Sequence, residues 1–148
     1  ADVLAFHTAS DAVMVAAQER GKLAIAYHSD MRHVAPQAQL LAVTHEWGDY
    51  YTQRALAVME GQWRSGQVWG GVREGMIKVG AFGPRLPKQV QSELARLQKA
   101  MAKGSLHPFT GPIFDNQDGV MLAQGQVMSD EQLLNMRFLV RGVVGSLP

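Results

Sequence analysis

The chain has 148 residues, 47% apolar and only 18% charged, with a formal net charge of +1; an average soluble domain carries roughly 25% charged residues, so this composition excludes a disordered chain and fits one domain able to bury a core. The basic residues are spread out rather than gathered in runs, which leaves no footprint for nucleic acid or an anionic membrane and points to a small molecule or a protein as partner. There is no cysteine, which excludes disulfides and thiol chemistry, and no stretch approaches the roughly 20 apolar residues of a membrane-crossing helix.

The run Val3-Leu4-Ala5-Phe6 reads as a buried strand. A polar loop, His7-Thr8-Ala9-Ser10, leads into a predicted helix over Asp11 to Arg20, with Ser10 as N-cap, Val13, Ala16 and Ala17 toward a core, and Gly21 at the C′ position. A second strand, Leu23 to Tyr27, ends in His28-Ser29-Asp30, and a third, Leu40 to Thr44, ends in His45-Glu46-Trp47. Apolar strands alternating with a helix predict βαβ units, a parallel sheet covered by helices and an α/β fold. Asp49 to Glu60 has the spacing of an amphipathic helix closed by Gly61. Val68 to Val79, with Gly70, Gly71 and Gly75, predicts one or two irregular strands. Pro87 opens a helix carrying Val90, Leu94, Leu97 and Met101 at helical spacing, and Gly104 lies just past its end. From His107 to Gln126 turn residues dominate, and Asp118-Gly119 can reverse a hairpin between Pro112-Ile113-Phe114 and Val120-Met121-Leu122. The capping box Ser129 to Gln132 starts a last predicted helix running from Asp130 to about Val144.

Three histidines end the first three strands. In open α/β sheets ligands bind beyond the carboxyl ends of the strands, so His7, His28 and His45 converge on the expected site. Three imidazoles can also hold zinc, but no His-x-x-x-His helix pair fixes two of them on one face. Trp47 offers either a stacking face for a planar ligand or a core side chain. Gly70-Gly71 and Gly80-Ala81-Phe82-Gly83 match neither dinucleotide nor phosphate-loop spacing, and Asp115 to Gly119 lacks the glutamate a calcium loop requires. Nothing supports a nucleophilic triad.

Several segments then carry a resemblance. Ala1-Asp2-Val3-Leu4, His7-Thr8-x-Ser10, Ala24 to Met31, Trp47 to Thr52, Trp69 to Met76, His107 to Pro112 and Gly142 to Gly145 are similar, in this order, to segments in the second half of the basic membrane protein family. These are purine-nucleoside-receptor-like lipoproteins that bind substrate for bacterial ABC importers. The resemblance implies a type I periplasmic-binding-protein fold, of which this chain looks like the C-terminal portion. It places residues 1–45 in the C-terminal lobe with a hinge at their end, residues 46–67 in a crossover to the N-terminal lobe, and residues 68–148 in a return to the C-terminal lobe with a hairpin and a helix. It implies a non-enzymatic protein with no cofactor that binds a purine base or nucleoside in an interlobe cleft. The permease subunits and the missing N-terminal half of the same protein are its implied partners, and the periplasm or cell envelope, with a lipid anchor, its implied location. The chain's first residues lack a signal peptide's basic start and apolar run, so the targeting signal is expected elsewhere. Ligand contacts are expected from His7, Thr8, Ser10, His28, Ser29, Asp30, His45 and Trp47. Nucleoside-binding relatives commonly carry aspartate where His28 stands and lysine where His45 stands, a pair implied to hold the ribose hydroxyls. Two imidazoles in their place favour a planar base such as adenine. A histidine-zinc hydrolase on an α/β scaffold and a ligand-sensing regulatory module of the same fold are the alternatives.

Overall fold

The structure, a computed structural model, describes residues 1–147 and divides into two compact units, residues 1–103 and the remainder from Gly104. In the first, β1 (Val3–Ala5), β2 (Leu23–His28), β3 (Gln39–His45) and β4 (Ile77–Gly80) form one sheet in that order. The first three strands run parallel and β4 pairs antiparallel to β3, with Ala42 opposite Gly80 and His45 opposite Ile77. Helix α1 (Ala12–Glu19) makes the β1-to-β2 crossover. The expected α/β architecture, with its mostly parallel sheet, is present.

Strand register sorts the side chains. Leu4 pairs with Ala24, and Ala26 with Ala42, and these residues share the face on which the core lies. That core consists of Met14, Ala17, Ala24, Ala26, Met31, Ala35, Ala38 and Ala42, with Leu4, Phe6, Val34 and Ala81 packed against it. Six of the eight are alanines. Their single methyl groups let α1 and residues 31–38 approach the sheet closely, and the two flexible methionines fill what remains. Gly83 continues this economy: a Cβ there would lie 1.6 Å from the Gln39 carbonyl oxygen.

Three details of this unit correct the sequence reading. The α1 N-cap is Asp11, not Ser10, whose Oγ instead accepts the Ala12 N–H at 3.2 Å. Met14 takes the deepest place, and Val13 and Ala16 are only half-buried. Residues 68–76 are turns and irregular chain, and only Ile77–Gly80 forms a strand; β3 supplies a partner edge for that one segment alone.

Helices α2 (Gly48–Met59) and α3 (Lys88–Ala102) follow the predicted bounds closely, and Gly61 and Gly104 adopt the left-handed backbone of C′ residues (φ 66° and 72°). Neither helix buries a residue fully.

In the second unit β5 (Ile113–Phe114) and β6 (Val120–Leu122) form the expected antiparallel hairpin, reversed at Asp118 (φ 67°). Asp115 Oδ1 accepts the N–H groups of Gln117 and Gly119 at 2.9 and 2.7 Å, closing the turn. The Ser129 capping box forms as read, but α4 spans only Asp130–Leu134 rather than reaching Val144. The chain beyond it bonds to the hairpin instead: Leu139 accepts from Asn116 N–H, Val140 bridges Asp115, and Arg141 N–H donates to Phe114. Arg141 also stacks on the Phe114 ring at 3.9 Å. Those tertiary bonds outcompete the helical propensity of residues 135–144.

Candidate functional site

Strand register brings the site together. Ala5 lies opposite Ile25, so His7, two residues on, comes level with Tyr27, which itself pairs with Val43. His45 follows Val43 by two. The period of two along a strand therefore sets His7, Tyr27 and His45 on one face, opposite the alanine core. By the same alternation His28 should point to the core face. It does not: its backbone is left-handed (φ 71°), and its ring stands 3.7 Å from that of Tyr27.

The result is a continuous run of rings across the carboxyl ends of the three parallel strands. Ring centroids are 4.0 Å apart for His7 and Tyr27, 4.9 Å for His28 and His45, and 5.1 Å for His45 and Trp47, the last pair stacked at 25°. The helix α2 aromatics extend it, with Tyr51 at 6.0 Å and Tyr50 at 6.3 Å from Trp47. Trp47 is 39% exposed, so it does not fill a core. Beside this end of the run lies a cavity of about 370 Å³ lined by Glu46, Asp49, Tyr50, Trp69, Glu74 and Met76. Glu74 accepts the Gly71 N–H at 2.8 Å, which holds its carboxyl below the ordinary value.

The electrostatics favour a neutral imidazole at His28. Displacement of water around the His28 ring, then the charges that His45 and His7 would carry, lower the pKa of His28. His45 Nδ1 is buried without a hydrogen-bond partner. Among the described residues no group of three or more His, Cys, Asp or Glu is arranged to hold a metal ion; the imidazoles lie against one another instead of converging on a point.

The other expected contacts are placed unequally. Thr8 and Ser29 are exposed beside the array, whereas Ser10 Oγ is turned to the start of α1. Asp30 is engaged by the Arg32 guanidinium, whose Nε lies 2.9 and 3.0 Å from its two oxygens. That pairing holds its carboxyl far below the usual carboxylate range. Tyr27 was missed by the sequence reading because, inside an apolar run, it reads as one more buried strand residue. Only register shows that it shares a face with His7 and His45.

Residues 1–109 match the family described as ABC transporter substrate-binding protein PnrA-like. A purine-binding protein of Brucella abortus is 40% identical over 147 residues, covering 99% of this chain and 42% of the relative. A Haloferax volcanii protein named as an ABC transporter glucose-binding protein is 24% identical over 147 residues, covering 99% of this chain and 35% of its own length. The crystal structure of a transcriptional activator of the comK gene from Bacillus halodurans superimposes with a TM-score of 0.60 at 22% identity, over 72% of this chain and 38% of that one. This last likeness bears on the fold alone. The chain thus spans well under half the length of these relatives, and by its family match it belongs to the PnrA-like ABC transporter substrate-binding proteins.

Proposed function

We propose that this chain contributes one wall of a purine-binding cleft in an extracytoplasmic substrate-binding protein that delivers its ligand to an ABC permease. The observation that carries the reading is the ring run from His7 to Trp47 at the carboxyl ends of parallel strands, where open α/β sheets bind ligands. A purine presents two aromatic faces and an edge of donors and acceptors. Imidazoles meet both needs, since each stacks and, in its neutral form, offers one donor and one acceptor. His7, His28, His45 and Trp47 supply the stacking surface, and Thr8 and Ser29 supply hydroxyls at the strand ends, while Ser10 holds the start of α1. Asp30 acts beneath the array through its turn.

In this reading residues 1–45 belong to one lobe, α2 crosses to a second, and residues from 68 return to the first. Closure of the two lobes buries the ligand and presents the closed form to the permease without any chemical step. The 40% identity to a purine-binding protein supports a purine over a sugar. Without a charged pair suited to ribose hydroxyls at His28 and His45, a free base such as adenine is favoured over its nucleoside.

Calorimetric titration of adenine and adenosine into the intact protein tests this. Adenine should bind at least as tightly as adenosine, and the double variant His28→Asp, His45→Lys should shift preference toward adenosine by about 1–3 kcal/mol through charge-assisted hydrogen bonds. No purine binding, or stoichiometric zinc held by the histidines, would overturn the reading. The 148-residue chain alone should bind purines weakly, because a cleft ligand needs both walls to lose most of its exposed surface.

A further inference from the structure

Among the described residues Gln39 is the one polar residue with a fully buried side chain, and both polar atoms of its amide are engaged. It stands at the first position of β3, where the β2–β3 register slips between Ala24 and Ile25. Its Oε1 accepts the Met31 N–H at 2.8 Å, and its Nε2 donates to Asp30 Oδ1 at 3.0 Å and to the Ala81 carbonyl at 2.7 Å. Asp30 in turn accepts from the Arg32 N–H at 3.1 Å and from the Arg32 guanidinium, which also reaches the Phe82 carbonyl at 3.4 Å. One amide therefore ties the turn after β2 to the first residue of β3 and to the chain leaving β4.

That turn begins at His28. A non-glycine residue in the left-handed region carries strain of order 1–3 kcal/mol and persists only where its surroundings over-determine it. The strain has a consequence at the site, since it brings the His28 ring to Tyr27 and His45 instead of sending it to the core face. The fixed points that hold this backbone are Asp30 and Met31, two and three residues beyond it, and both are bonded by Gln39.

We propose that Gln39 is a positioning residue of the strand-end site: its buried amide clamps the turn after β2 and so keeps His28 in the left-handed backbone that completes the ring array. Gln39 touches no ligand. It acts through Asp30 and Met31, and Arg32 reinforces the Asp30 end of the same clamp. The purine reading enters only the affinity part of the test.

The experiment follows the histidine ring signals by NMR in the intact protein, in the wild type and in Gln39→Met and Arg32→Ala. In the wild type the neighbouring Tyr27 ring gives the His28 Cε1 proton a ring-current shift. Gln39→Met conserves length and volume but removes all three bonds. It should move that signal toward its random-coil position while the sheet amides stay dispersed, and weaken adenine binding about tenfold, the equivalent of roughly 1.4 kcal/mol. A folded Gln39→Met with an unmoved His28 signal overturns the proposal. Should that variant fail to fold, Arg32→Ala decides, because its side chain is exposed: a smaller movement of the same signal supports the clamp, and none refutes it. A wild type that binds no adenine removes the purine reading, yet the His28 signal still judges Gln39.

Discussion

Residues 1–45 and residues 48–69 treat their apolar side chains in opposite ways. The first stretch folds its strands and α1 over alanines and methionines that are almost wholly covered, and its strand-end rings sit on the far side of that core. The second carries a regular helix, α2, in which nothing is buried, and leaves Tyr51, Leu56, Val58, Met59, Trp63, Val68 and Trp69 exposed. Burial of apolar area supplies most of a helix's stability in proteins, since propensity alone barely sustains one of this length. The strand-end site is thus held from within the chain, whereas α2 gains little from anything this chain provides.

The sharpest way to break that contrast is to shorten one methionine in each stretch. Met14 is 0% exposed and Met59 is 81% exposed. Met14→Ala should cost about 2–5 kcal/mol, the lost transfer term plus a cavity that an alanine-lined core cannot close. Met59→Ala should change stability by less than about 0.5 kcal/mol. Urea denaturation midpoints of the two variants measure the difference, and equal losses would mean that α2 is packed as firmly as α1.

A third kind of support operates in the unit from Gly104, where hydrogen bonds replace a large core. Ser129 Oγ accepts the Gln132 N–H at 3.2 Å while Gln132 Oε1 accepts the Ser129 N–H at 2.8 Å. With five residues, α4 has few other sources of stability. Ser129→Ala should cost about 1 kcal/mol, and amide exchange should accelerate over residues 130–135 with the sheet of the first unit unaffected.

What the sequence made legible follows the same division. Apolar runs that end in histidine located the three parallel strands and the convergence of His7, His28 and His45, because strand-end chemistry is local. The hairpin at Asp118 and the capping box at Ser129 were legible for the same reason. The last helix was read too long because the bonds that stop it come from Asn116 and Phe114, far back along the chain, and pattern carries no trace of them. Tyr27 escaped notice because two of its partner rings, His7 and His45, belong to other strands, and the third, His28, reaches it only through a left-handed backbone. Gln39 escaped because a glutamine at a strand start is ordinary until its burial is known.

His28 separates site from scaffold within a single residue. Glycine adopts its φ of 71° without strain, so His28→Gly should raise the melting temperature by a few degrees. The same change removes the ring that links Tyr27 to His45, so purine affinity should fall. Differential scanning calorimetry paired with a purine titration reads both. A variant that loses stability would show that the ring itself, rather than the backbone, is what the fold depends on there.

The smallest expected effect concerns protons. The pKa of His28 lies below its ordinary 6.5, with loss of water around the ring as the leading cause, the charge on His45 next and that on His7 last. The folded chain therefore binds fewer protons than the unfolded one between the lowered value and 6.5. This contribution to stability is complete above 6.5 and is lost as the pH falls through the lowered value. A stacked ligand excludes further water and disfavours the proton again, so purine affinity should decline as the pH falls below the lowered value of the free protein. NMR titration of the ring signals orders the causes. His45→Asn should raise the His28 pKa more than His7→Asn does, and neither should restore it fully, because the Tyr27 ring still displaces water. An equal rise in both variants would mean that the three imidazoles interact as a unit rather than through the nearer pair.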